Sequence, residues 1–217
     1  MSKKLVIFDL DGTLLDTISD LAQSTNQALE KLGFALHPQN AYYRFVGSGI
    51  NKLFERALPP NARTTENIAK VRALFVPYYD EHNADLTRPY AGIVELLENL
   101  QKKGFVLAVA SNKYQSATEK LVHHYFPQIA FAAVLGQRDG LPVKPDPLFV
   151  KEILKSTQIS SQETLYVGDS DVDMLTAQNA QVDSCAVTWG FRTKEELMRF
   201  NPAFVAEKAE DIAKILL

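Results

Sequence analysis

Leu5-Val6-Ile7-Phe8-Asp9-Leu10-Asp11-Gly12-Thr13-Leu14 is the stretch that decides how this chain folds. Four consecutive apolar residues describe a strand buried on both faces, as strands of a parallel sheet are. The run breaks at two carboxylates, two residues apart, and an Asp-Gly pair that signals a turn. Ligands of parallel sheets gather just beyond the carboxyl ends of the strands. Asp9 and Asp11 therefore stand where chemistry is expected. Alone, Asp-Gly is also an ordinary turn, so the meaning of the stretch depends on the partners that the rest of the chain supplies.

Downstream of Pro89 the sequence alternates. The spacing predicts helices at Gly92–Lys103, Gln115–Tyr125, Pro147–Ser156 and Val172–Ala180. Between them fall short apolar runs at Phe105–Ala110, Ala132–Leu135, Thr164–Val167 and Ser184–Val187. Short Val/Leu/Ile/Ala-rich strands separated by helices of about ten residues indicate an α/β fold with a doubly wound parallel sheet. Residues 17–86 read differently, as helices without a strand. An amphipathic helix is expected over Ile18–Leu32, capped by Thr17 or Ser19 and ended by Gly33. A glycine-bearing turn, Val46–Ile50, leads into a helix over Asn51–Leu58 that Pro59-Pro60 stops. A third helix runs from Thr65 to about Asn83, with Pro77 expected to kink or end it near Val76. The expected organisation is a core of residues 1–16 and 87–217 interrupted by a helical insertion of residues 17–86. Such an insertion sits over the carboxyl edge of the first strand as a lid, excluding water and selecting substrates.

Composition narrows the functional classes. A chain of 217 residues, 46% hydrophobic, can bury a substantial core. Its formal charge of −3 gives no basic excess to attract nucleic acid or an anionic membrane. No apolar run approaches the ~18 residues needed to span a bilayer. The lone cysteine, Cys185, excludes an internal disulfide and fits a reducing compartment, so a cytoplasmic protein is expected. Oligomeric state is not legible in the pattern.

Three further polar punctuations follow the predicted strands. Ser111-Asn112 come directly after Phe105–Ala110, Lys144-Pro145-Asp146-Pro147 precede a helix, and Gly168-Asp169-Ser170-Asp171-Val172-Asp173 follow Leu165-Tyr166-Val167. Each has an ordinary structural alternative: Ser111 or Asn112 as a helix cap, Lys144 as a solvated lysine, Asp171 as an acid favoured at a helix N-terminus. A calcium loop fails on counting, because Met174 stands at its glycine position and Ala180 at its bidentate glutamate. Several oxygen donors without suitable cysteine or histidine partners favour a hard cation, Mg²⁺ above all. A hydroxyl and a lysine beside them suit a phosphoryl oxygen.

At these residues the chain resembles the haloacid dehalogenase-like superfamily, and its phosphoglycolate phosphatase branch in particular. Asp9–Thr13 match the signature Asp-x-Asp-Gly-Thr, Ser111 the Ser/Thr motif, Lys144 the lysine motif, and Gly168, Asp169 and Asp173 the acidic motif Gly-Asp-x-x-x-Asp. The resemblance implies a Rossmann-like core with a small helical cap. It also implies a Mg²⁺-dependent phosphomonoesterase that works through an aspartyl-phosphate on Asp9. Asp11 would then be acid and base, Ser111 and Lys144 would bind the phosphoryl group, and Asn112 would help bind the substrate. The metal would be held by Asp9, Asp169 and the backbone carbonyl of Asp11, with Asp173 behind them. Arg44–Gly49 resemble the cap loop facing the site in phosphoglycolate phosphatases, which places Gly47, Ser48 and Gly49 against the substrate. Arg44 and Lys113 are candidates for a substrate carboxylate. The expected partner is a small phosphate ester, with phosphoglycolate leading. A pyrophosphatase and a phosphosugar mutase share the motifs, and a non-catalytic phospholigand-binding protein shares the fold.

Overall fold

Leu5–Phe8 form β1, and all four residues are fully buried. In this computed structural model, which describes residues 2–217, Val6 and Phe8 pack with Val109, Val167 and Val187 on one side of the sheet. Leu5 and Ile7 pack with Ala108, Tyr166, Phe149 and Ile153 on the other. Apolar side chains on alternate faces are thus covered on both, as the unbroken hydrophobic run requires.

In chain order β1 is followed by β2 (Leu15–Asp16), α1 (Ile18–Lys31), α2 (Gln39–Phe45), α3 (Ile50–Ala57), α4 (Thr65–His82) and β3 (Arg88–Pro89). Then come α5 (Ile93–Lys102), β4 (Val106–Tyr114), α6 (Gln115–Tyr125), β5 (Phe131–Gln137) and α7 (Leu148–Thr157). The chain ends with β6 (Thr164–Gly168), α8 (Asp171–Ala180), β7 (Asp183–Val187), α9 (Lys194–Met198), β8 (Phe204–Ala206) and α10 (Ala209–Leu216). The main sheet has the order β5-β4-β1-β6-β7-β8, and every pairing is parallel. The chain winds outward from β1 to β5 and then returns to build the other half. The order therefore reverses beside β1, where doubly wound sheets open a crevice.

The helices α1 to α4 pack around a separate apolar cluster containing Leu29, Tyr42, Phe54, Phe75 and Tyr79. They leave and rejoin the core through an antiparallel ribbon in which Leu15 pairs with Pro89 and Asp16 with Arg88. Just beyond it the buried Asp20 accepts from the backbone N–H groups of Leu86 and Thr87 and from the Thr87 hydroxyl, at 2.7–3.1 Å. One carboxylate thus fastens the departing helix to the returning chain. Among the described residues no helix is long and apolar enough to cross a membrane.

Several local expectations are corrected. Pro77 does not end α4: it lies on the solvent side while Val71, Phe75 and Tyr79, at four-residue spacing, are buried on either side of it. Packing along that stripe holds both halves, and water can serve the carbonyl that proline leaves without a donor. Thr17 precedes α1 without capping it, and its buried hydroxyl has no partner. Ser19 instead accepts from the Gln39 side chain. The helix α2 was not foreseen, since Gln39–Phe45 buries Tyr42 alone and shows no apolar stripe. Ser111 and Asn112 do not cap α6, because β4 continues through them to Tyr114. The ribbon β2–β3, helix α9 and the last two elements also lie outside the sequence reading, their runs being too short for periodicity to show.

Candidate active site

The three central strands end at the chemical residues. Asp9 follows β1, Ser111 lies near the end of β4, and Asp169 follows β6. Lys144 enters from the loop between β5 and α7. The Asp9 backbone N–H donates to Val167 O at 2.9 Å, which continues the parallel pairing one residue past β1 and fixes where the carboxylate emerges.

Asp9 Oδ1 accepts from the Leu10 N–H at 2.7 Å and pairs with Lys144 Nζ at 2.9 Å. Its Oδ2 accepts no hydrogen bond among the described residues. Lys144 Nζ also contacts Asp173 Oδ1 at 2.7 Å and the Tyr166 hydroxyl at 3.0 Å. The other oxygen of Asp173 accepts from the Ser170 N–H and hydroxyl, at 3.1 and 2.6 Å, within the capping box that starts α8. Asp173 is therefore a fully engaged anchor for Lys144. Asp169 Oδ1 accepts from Thr13 Oγ1 at 3.0 Å, and Oδ2 from the Phe191 N–H at 2.7 Å.

Glycines make this closeness possible. A Cβ on Gly12 would lie 2.4 Å from Asp169 Oδ2, and one on Gly190 would lie 2.3 Å from Asp169 Cβ. Gly12 also has φ +89°, in the region that favours glycine. The Trp189–Phe191 loop after β7 is tied to the first turn by a bond from Trp189 Nε1 to Thr13 O at 3.0 Å. The sequence reading missed this loop. Its signal was a glycine between two aromatic residues directly after a strand.

The charge balance at the strand ends is unequal. Asp9, Asp169 and Asp173 each offer an oxygen within 4.8 Å of the others, all three are buried, and the one ammonium group among them is Lys144. Two like unit charges about 4 Å apart repel by around 4 kcal/mol at an effective dielectric near 20. Burial, together with the charge of Asp173, accordingly pushes Asp9 up to about 7. Burial and the charges of Asp173 and Asp9 also hold Asp169 well above the usual carboxylate range. Burial opposes the charge of Lys144, but Asp173 and Asp9 outweigh it and keep the ammonium stable. An oxygen-only donor set short of positive charge fits a hard divalent cation, and Asp9, Asp169 and Asp173 are the carboxylates that could hold one.

Above these groups a cavity of about 40 Å³ lies between core and helical insertion, lined by Asp9, Asp11, Ser111 and Lys113 below and by Leu21, Ile50, Leu53 and Phe75 above. Ser111 Oγ accepts the Lys113 N–H at 3.2 Å, which leaves its hydroxyl hydrogen free to point into the cavity. Gly47 and Gly49 line the cavity, but Ser48 does not: its hydroxyl accepts from Arg56 Nη2 at 3.0 Å. Asn112 lines it with an amide that is already engaged. Its Nδ2 donates to Gly47 O and Lys144 O, at 3.1 and 3.0 Å, and its Oδ1 accepts from the Lys144 N–H at 2.8 Å. Asn112 thus joins the loop of the insertion to the Lys144 loop. Arg44 lines a different cleft, with Arg192 and Glu196. Asp171, the first residue of α8, pairs with Arg192 Nε at 3.2 Å. The same guanidinium donates to Tyr43 O and to Val46 O, so a core arginine holds the carbonyls of the insertion loop. Lys113 lies under the insertion with its ammonium on both oxygens of Asp11, at 2.9 and 3.2 Å.

Residues 6–187 match the family model of the haloacid dehalogenase-like hydrolases. The chain is 33% identical over 219 residues to the phosphoglycolate phosphatase of Vibrio parahaemolyticus, covering 98% of this chain and 96% of that one. It is 33% identical over 207 residues to the phosphoglycolate phosphatase of Mesorhizobium japonicum, covering 94% and 91%. The crystal structure of a predicted phosphoglycolate phosphatase from Haemophilus somnus 129PT superimposes with a TM-score of 0.93 at 27% identity, covering 100% of this chain and 99% of that one.

Proposed function

The chain belongs to the haloacid dehalogenase-like hydrolase family, and from that premise we propose that it is a Mg²⁺-dependent phosphatase of small phosphate esters, with phosphoglycolate as its substrate. The observation that carries this reading is the convergence of Asp9, Ser111, Lys144 and Asp169 at the ends of three adjacent strands, with one oxygen of Asp9 open. The cavity of about 40 Å³ supports a leaving group of a few heavy atoms, since about 10–15 Å³ of such space holds one water.

Asp9 Oδ2 attacks phosphorus, the bond to the ester oxygen breaks, and an aspartyl-phosphate forms. Asp11 gives its proton to the departing oxygen. It then takes a proton from the water that attacks phosphorus, so that inorganic phosphate leaves and Asp9 is restored. The Ser111 hydroxyl donates to a phosphoryl oxygen, and Lys144 orients Asp9 and offsets the charge of the incoming dianion. Asp173 and Tyr166 hold Lys144 in place. Asp9, Asp169 and the Asp11 carbonyl would hold Mg²⁺, which when bound supplies positive charge to the phosphoryl oxygens and the acidic pair. Chemistry of this kind is positioning plus charge stabilisation. The insertion of residues 17–86 serves as the cap, and the lone cysteine supports a reducing, cytoplasmic setting.

A phosphate-release assay over phosphoglycolate, pyrophosphate and other small phosphates, with Mg²⁺ and with EDTA, tests the reading. Turnover of phosphoglycolate that needs Mg²⁺ and disappears in Asp9→Asn is expected. Near-native turnover by Asp9→Asn would refute the assignment, and faster turnover of pyrophosphate would move the substrate.

A further inference from the structure

We propose that Lys113 and Tyr79 form a subsite for a carboxylate on the leaving group of the substrate, and that Lys113 exchanges Asp11 for that carboxylate when substrate arrives. The inference rests on the phosphatase reading and specifies the class of ester. Lys113 is the one basic residue lining the cavity, and 3% of its side chain is exposed. A buried ammonium needs an anion beside it, and without substrate that anion is Asp11. While both carboxylate oxygens of Asp11 lie on Lys113, the group is held away from the ester oxygen it must serve.

The cavity lining sets the position of the subsite. Lys113 stands two residues after Ser111, where the register of β4 on β5 shifts, and both side chains line the same cavity. A phosphoryl group at Ser111 and a carboxylate at Lys113 are therefore a short linker apart. Tyr79 supplies a second, independent feature. Its ring lies 4.8 Å from Lys113 Nζ, it is fully buried against the same cavity, and its hydroxyl has no hydrogen-bond partner. A buried hydroxyl without a partner is costly, and a carboxylate held by Lys113 would provide one. Besides Gly47 and Gly49, the cap wall otherwise offers the side chains of Leu21, Val46, Ile50, Leu53 and Phe75, none of which can hold a charged group. A carboxylate therefore relieves Lys113 of Asp11 and satisfies Tyr79, whereas an alkyl phosphate with an uncharged leaving group leaves Asp11 tied down.

The test compares kcat/KM for 2-phosphoglycolate and ethyl phosphate, an ester of similar length whose leaving group carries no charge, by phosphate release in Mg²⁺. The native enzyme should prefer phosphoglycolate. Lys113→Met should lower that preference by about 10- to 150-fold, the range for losing a hydrogen bond to a charged group, mainly through KM for phosphoglycolate. Lys113→Arg should retain part of the preference, and Tyr79→Phe, which also loses a bond to the carboxylate, should lower it by at least about 10-fold. A folded Lys113→Met with the native ratio, or a native enzyme without preference, overturns the proposal. Where Lys113→Met does not fold, Tyr79→Phe decides: a lowered ratio supports the subsite and an unchanged one overturns it. Absence of phosphate release from any ester by the native enzyme overturns the phosphatase reading itself, and the subsite with it.

Discussion

Replacing Gly190 with alanine adds one methyl group to the tightest place in the site. The new Cβ would lie 2.3 Å from Asp169 Cβ and 2.4 Å from both Asp169 Oδ2 and Gly12 O. A contact of 3.4 Å is ordinary, so the carboxylate or the loop must give by 3.4 minus 2.3, about 1.1 Å. Neither can do so freely. Asp169 is held by Thr13 and by the Phe191 N–H, and Phe191 is the residue next to the substitution. Overpacking of this kind costs about 1–3 kcal/mol, which for a chain of this size lowers Tm by about 2–12 °C. The effect on activity should be larger, because misplacing a reacting group by about 1 Å costs on the order of 10²-fold. Phosphate release under a Mg²⁺ titration should show kcat/KM reduced about 100-fold and half-activation moved to higher Mg²⁺. Gly33→Ala is the control: at φ +73° it meets left-handed strain that Gly190 does not, but nothing lies within 4 Å, so it should lose stability and keep activity. Native kcat/KM and Mg²⁺ dependence in Gly190→Ala would refute the idea that Asp169 is fixed by this loop.

Lys144→Met leaves three buried carboxylates without their cation. It should abolish turnover and cost about 3–5 kcal/mol in EDTA, with Mg²⁺ restoring part of the lost Tm in thermal unfolding. Asp20→Ala removes the acceptor for two backbone N–H groups and a hydroxyl at the base of the cap, and should destabilise by about 3 kcal/mol in urea unfolding. Burial pushes the Cys185 thiol up to about 12, above its ordinary value of 9.0. The folded state therefore keeps a proton that the unfolded state releases. The associated stability is complete below about pH 9 and is lost as pH rises towards 12. A thiol reagent at pH 8 should label Cys185 only as fast as the chain unfolds, and rapid labelling of folded protein would contradict its burial.

Sequence alone determined the sheet and the ends of its central strands. Leu5–Phe8 and Leu165–Val167 are unbroken apolar runs in a chain of alternating strands and helices, which predicts a two-sided parallel sheet, and polar residues placed just after such strands meet where the order of the sheet reverses. Hence Asp9, Ser111 and Asp169 were legible before any coordinates, and Lys144 through its resemblance to the lysine motif. The motif spacing of Asp173 from Asp169 was equally plain, although its capping-box bonds to Ser170 were not.

The tertiary structure decided what these residues touch. Periodicity says which face a side chain occupies, but not which of several partners lies across a cavity. So Lys113 proved to lie on Asp11, Asn112 to join the cap loop to the Lys144 loop, Ser48 to turn to Arg56, and Arg44 to face another cleft. Arg192, about 180 residues from Asp9 in the chain, carries no local pattern that marks it, and Gly190 shows only its place between two aromatic residues, yet one holds the cap and the other borders Asp169. Local pattern fixes elements because backbone geometry repeats every two or 3.6 residues. The contacts between cap and core have no such period, and only the folded chain brings them together.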